Sequence, residues 1–338
     1  MIAVLEFTMM QKIWIFLIIL FIIPLAHAAN SDNNYSTVID NVNIPWAIDF
    51  LPDSTMIFTE RSGSIKIKKN DSVKVIKTIK VAHTGEAGLL GIAVDPDFNQ
   101  NRFVYVYYTY KNNGLSNRVS RFFYSDSLLN EHVLIDNIPG ALYHDGGRIK
   151  FGPDQLLYIT TGDALKPESS GDINSLSGKI LRMEKNGAVP KDNPFNNYTY
   201  ASGLRNPQGL AWDNDILYAS DHGPSERDEI NRIEKGKDYG WPRTCDEYPA
   251  FKCYSDFTLA PSGIAIVKNN LFIACLRGAQ LRKINLINGH EEEVLTDLGR
   301  LREVVSRGNS LFISTSNKDG RGKPKKGDDR IIRYQIDK

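Results

Sequence analysis

The chain has 338 residues and almost balanced charge, 41 Lys and Arg against 40 Asp and Glu, for a formal net charge of +1. With no long basic stripe, that balance argues against nucleic acid as a partner. The length fits one large domain or two ordinary ones.

The chain opens with a short positive start at Lys12 and an apolar run from Ile13 to about Ala26. A spanning helix wants about 20 apolar residues, and this run is shorter. It ends in Ala26-His27-Ala28, a small-residue cleavage pattern. Residues 1–28 therefore read as a secretory signal peptide cut after Ala28, with an extracytoplasmic destination, secreted or periplasmic. Cleavage leaves no stable membrane span; without it the segment would be an N-terminal anchor. Residues 29–44 read as a short lead-in.

From there one phrase repeats: a polar turn, a short apolar strand, another polar turn. It begins at Leu51 (LPDSTMIFTE), Asp95 (DPDFNQNRFVYVYYTY), Gly152 (GPDQLLYITTGD), Trp212 (WDNDILYASDHG), Lys268 (KNNLFIACLRG) and Arg307 (RGNSLFISTSN). The spacing of about 40 to 60 residues, with almost no helical periodicity, predicts an all-β, six-bladed β-propeller over residues 45–336. The competing reading is a pair of β-sandwiches, which would not need six copies of one phrase. The polar tails after the strands carry Glu60-Arg61, Gly162-Asp163, Asp221-His222-Gly223-Pro224 and Arg277-Gly278. Equivalent tails of successive blades converge on one mouth of the channel, where propellers build ligand sites.

Cys245 and Cys253 bracket the loop CDEYPAFKC, and in an oxidising compartment a local disulfide is expected there. Cys275, in LFIACL, reads as a buried free thiol. The basic cluster Arg321 to Lys326 holds glycine and proline and reads as a solvated loop.

Five stretches stand together: GEAGLLGIAVDPDF, HDGGRIKFGPDQLLYITTGDA, GLRNPQGLAWD, DHGPSERDEINRIEKGKDYGWP and GRLREVV. In this order they resemble the soluble quinoprotein aldose dehydrogenases, the glucose/sorbosone dehydrogenase family, from about Pro45 to Tyr334. The resemblance implies a six-bladed propeller that binds pyrroloquinoline quinone (PQQ) and calcium. It implies oxidation of the anomeric hydroxyl of an aldose substrate to a lactone, with an external electron acceptor.

On that resemblance His144 is the general base, a role that suits an imidazole titrating near neutrality. Asp163 matches the carboxylate that holds its ring. Arg205 and Asn206 match the pair at the quinone oxygens, where charge grows and a fixed guanidinium stabilises it. Arg300 and Arg302 match arginines paired with the three cofactor carboxylates. Arg277 stands where the family has another basic residue, and Glu86 where it has a polar residue lining the cofactor. Gly223 and Pro224 match backbone carbonyls that hold the cofactor's calcium; Glu229 and Tyr239 match a second, structural calcium site.

Tyr143 replaces an acid found in the glucose enzymes, and Glu303 stands where aspartate is commoner. Long insertions that support a dimer are lacking. These departures point to the broader aldose-dehydrogenase branch, as a monomer or dimer. Two other readings keep the propeller and change the function: a non-catalytic ligand-binding ectodomain, and a lactone hydrolase with a metal cage at the channel centre.

Overall fold

The structure is a computed structural model that describes residues 34–336. The signal-peptide reading lies outside the described residues. Among those described, 24 strands form six four-stranded antiparallel sheets. The sheets are the blades of a β-propeller, formed by 45–78, 89–140, 149–201, 207–254, 261–295 and 301–335. The segment read as a lead-in contributes the strand Tyr35–Ile39, which pairs with Ile331–Gln335 as the outer strand of the sixth blade.

Burial explains the strand order. Second strands such as Met56–Glu60 and Leu157–Thr161 are buried throughout, as continuous apolar runs packed on both faces. The rim strand Ser72–Thr78 is mostly exposed. The repeated phrase is the hairpin between the innermost and second strands. Each of the six hairpins has one residue in the left-handed region: Ser54 (φ 70°), Arg102 (59°), Gln155 (62°), Asn214 (52°), Lys268 (54°) and Gly308 (57°). A left-handed residue closes a tight hairpin in the twist its strands need. These turns share one mouth of the channel, and the innermost strands start at the other.

Five of the six innermost strands carry a register shift at that start: Pro45/Ala47, Leu89/Ile92, Pro207/Gly209, Pro261/Ile264 and Leu301/Glu303. A bulge leaves its extra residue unpaired and re-aims it. Trp46, Gln208, Ser262 and Arg302 are such residues, all buried, and they meet in the channel. Gln208 Oε1 accepts from Arg302 Nη1 at 2.6 Å and from Ser262 Oγ at 3.0 Å. The third blade supplies Arg148, stacked on Trp46 at 4.3 Å and ion-paired with Glu303. This girdle floors the site above it.

Cys245 and Cys253 are disulfide-bonded, and Cys275 is free and buried. Among the described residues, no helix is long and apolar enough to cross a membrane.

Candidate active site

His144 lies on the approach to the third blade with φ 65°, a left-handed backbone on a residue with a side chain. Such strain costs on the order of 1 kcal/mol and persists only where the surroundings impose it. They do: at Gly162 a Cβ would come within 1.9 Å of the His144 carbonyl oxygen. That glycine lets the HDGGR and GDA loops touch. His144 Nδ1 then lies 2.8 Å from Asp163 Oδ1. A buried carboxylate accepts, so the proton sits on Nδ1 and Nε2 carries the free lone pair. Asp163 Oδ1 also accepts from Leu165 N at 2.8 Å, and Oδ2 from the Trp241 indole at 2.8 Å.

Arg205 and Asn206 are held from the next blade. Asp221, pushed up to about 6 chiefly by burial, accepts both their backbone N–H groups, at 2.9 and 2.6 Å. Arg205 lies over the Trp241 ring at 5.3 Å and donates to the His222 carbonyl at 3.1 Å. Trp241 therefore touches both Asp163 and Arg205. Asn206 accepts from Gly146 N at 3.1 Å and donates to Glu86 Oε2 at 3.1 Å.

Glu86 ties these parts together. Its Oε2 also accepts from His144 N at 3.2 Å, and its Oε1 from Arg321 Nη1 at 2.9 Å. Burial works to raise this carboxyl, yet it titrates low, at about 2, beside His222, Arg321 and the His144 N–H. Burial also holds His222 down to about 4, so at neutral pH Arg321 is the charged partner.

These groups surround a cavity of about 340 Å³ lined by Glu86, His144, Arg205, Asn206, His222, Arg277, Arg300 and Arg321. Arg277 has no side-chain hydrogen bond or ion pair among the described residues. Arg300 is oriented by Asp319, at 3.0 Å from Nε and 2.8 Å from Nη2. Arg302 does not line this cavity; it lies in the channel girdle, where burial lowers it to about 9.

Of the proposed metal residues, Gly223 and Pro224 line this same cavity. Gly223, Pro224, Glu229 and Tyr239 line one small cavity of about 10 Å³ together with Asp221. Glu229 is raised to about 8, by burial first and then by Asp221. The Tyr239 hydroxyl is already engaged, donating to Arg232 O at 2.6 Å and accepting from Glu234 N at 2.8 Å. No set of three or more His, Cys, Asp or Glu side chains shares a metal-sized site among the described residues. An ion there would draw on Glu229, Asp221 and backbone oxygens.

Three residues at the site escaped the sequence reading: Trp241, Asp319 and Arg321. Only Arg321 carried a signal, its charge, and the glycines around it disguised that as a solvated loop.

The glucose/sorbosone dehydrogenase family model matches residues 42–332, and the chain belongs to that family. It is 33% identical over 257 residues to quinoprotein glucose dehydrogenase B of Acinetobacter calcoaceticus, covering 64% of this chain and 54% of that protein. The chain thus spans about half of that relative's length. It is 29% identical to an aldose sugar dehydrogenase of Escherichia coli, covering 87% of this chain and 92% of that one. The PQQ-bound form of the aldose sugar dehydrogenase from Streptomyces coelicolor matches at a TM-score of 0.84 and 36% identity, over 89% of this chain and 97% of that one.

Proposed function

We propose that this protein is a PQQ- and calcium-dependent dehydrogenase that oxidises the C1 hydroxyl of aldoses to lactones outside the cytoplasm. The observation that carries the reading is the His144–Asp163 pair facing an arginine-walled cavity.

The cavity suits a flat tricarboxylate. Four arginines, Arg205, Arg277, Arg300 and Arg321, line it against Glu86 and Asp228. Asp228 is already satisfied by the N–H groups of Gly223, Leu259 and Ala260. Arg205 Nε and His222 Nε2 are buried without partners. Unsatisfied buried polar atoms call for a polar ligand. Arg300 and Arg277 would hold carboxylates, with Arg302 acting from beneath through its field. Gly223 and Pro224 would offer carbonyls to the cofactor's calcium, and Glu229 with the Tyr239 backbone to a second ion.

PQQ, when bound, supplies the two-electron acceptor for the hydrogen that leaves C1. His144 Nε2 takes the proton of the C1 hydroxyl. Asp163 keeps the imidazole in the tautomer that can do so and stabilises the imidazolium that results. Arg205 and Asn206 stabilise the oxygens on which negative charge grows.

Reconstitution tests the reading. The chain from Ala29 onward is mixed with PQQ and calcium, and dye reduction is followed across aldoses with a calcium-free control. Activity that needs both additions is the expected result. Failure to bind PQQ would remove the cofactor assignment and favour a ligand-binding propeller.

A further inference from the structure

Beside the His144 cavity, on the same mouth, lies an open groove of about 450 Å³. It shares Leu276, Arg277, Arg300 and Arg321 with the cavity and runs outward past Asp297 to Lys323 and Lys325. Five cationic side chains line it against one carboxylate, in a chain whose charges otherwise almost cancel.

Pairing removes two of the five. Arg300 is neutralised by Asp319 and Arg321 by Glu86. The other three face a single lining carboxylate, that of Asp297. Arg277 and Lys323 have no side-chain partner among the described residues, and Lys325 Nζ reaches only the Asp297 carbonyl at 3.5 Å. The Asp297 carboxylate is occupied by the Tyr35 hydroxyl at 2.7 Å.

The groove is also held in shape. Asn317 donates to Leu298 O at 2.9 Å and to Asp328 Oδ2 at 3.0 Å, and Asp328 accepts from Lys325 N at 2.7 Å. A Cβ at Gly322 would come within 2.4 Å of the Asn317 carbonyl oxygen. The lysines thus project from an anchored loop.

We propose that this groove is a subsite for an anionic group carried by the sugar, so that acidic aldoses belong to the substrate class. The carbohydrate would place its C1 at His144 and its carboxylate or phosphate at Lys323 and Lys325, beyond the Arg277 that the cofactor engages. Lys323 and Lys325 line the groove and not the His144 cavity, whereas the arginines proposed to hold the cofactor line the cavity itself. The reaction half of this inference rests on the proposed dehydrogenase activity; the anion site does not.

The test compares kcat/KM of the PQQ- and calcium-loaded full chain for galacturonate, galactose 6-phosphate and galactose. The expected preference for one anionic sugar over galactose is on the order of tenfold at low ionic strength. It should shrink with added salt and collapse in the double variant K323A/K325A. Whether the carboxylate or the phosphate gains more identifies the natural group. In parallel, methyl galacturonoside, which has no free C1 hydroxyl, is titrated calorimetrically into the chain and the double variant. Glycoside binding lost in the variant upholds the anion site even where no sugar turns over, an outcome that would sink the reaction alone. Galactose turnover with no preference for either acid overturns this inference and leaves the dehydrogenase intact. Weakened PQQ binding in the variant with the preference unchanged also overturns it, because the groove would then serve the cofactor.

Discussion

His144 gives one ring nitrogen to Asp163 and turns the other to the cavity, so its replacement separates chemistry from binding. His144→Gln should lower turnover about 10²- to 10⁴-fold, the usual worth of a general base, while PQQ binding measured by absorbance is retained. Trp241 acts one step behind. Trp241→Phe keeps an aromatic face beneath Arg205 but removes the indole donor to Asp163 Oδ2. We expect kcat to fall roughly tenfold with little change in KM, since one buried charge-assisted hydrogen bond is lost; an unchanged kcat would show the bond to be idle. Asp145 gives a pH signature. Burial pushes it up to about 7 against the bonds from Asn117 and Ala141, and its Oδ2 has no partner. Its folded value lies above its ordinary value of 3.8, so the folded state holds the extra proton. Stability is therefore lost as pH rises from about 4 through 7. Asp145→Asn should flatten that decline, and thermal unfolding at pH 5 and pH 8 would show it as a Tm gap narrower by about 2 °C or more.

At the scale of elements, the inner hairpins explain what could be read in advance. Each is built by a local rule, polar residues around a left-handed position, and so Leu51, Asp95, Gly152, Trp212, Lys268 and Arg307 announced six blades. The tails after the second strands, Gly162-Asp163 and Asp221-Pro224 among them, were legible for the same reason. The bulges at the innermost strands were not. A register shift depends on the neighbouring strand, and Arg302 looks the same in sequence whether it faces the cavity or the girdle. Trp241 was hidden too, because its partners Asp163 and Arg205 come from other blades. The girdle joins two of the recognised motifs, as Arg148 of HDGGR meets Glu303 of RLRE. Glu303→Ala strands a buried guanidinium, and chemical denaturation should report a loss of about 3–5 kcal/mol. A loss below about 1 kcal/mol would mean that the pair is dispensable.

At the scale of the whole molecule, the two cavities with charged walls make the fold respond to its ligands. A ligand that binds only the folded state at 100 times its Kd adds about 2.7 kcal/mol. PQQ with calcium should therefore raise Tm by several degrees, and chelation should reverse the calcium share. A Tm indifferent to both would count against the cofactor assignment.

The strand Tyr35–Ile39 has a further consequence, for how the chain reaches its native state. It sits beside Ile331–Gln335, and nearby Ile44 N donates to Asp329 across 285 positions of sequence. Contacts so distant cannot form until nearly the whole chain is available, and such topologies fold slowly. As the chain is synthesised, the strand that emerges early waits with its edge unpaired, a state prone to pairing with other chains. Joining residue 336 to residue 35 and opening the exposed turn around Gly114 instead would make that pairing local, and refolding after dilution from denaturant should be faster. The ring's first-made strand is otherwise the last to find its neighbour.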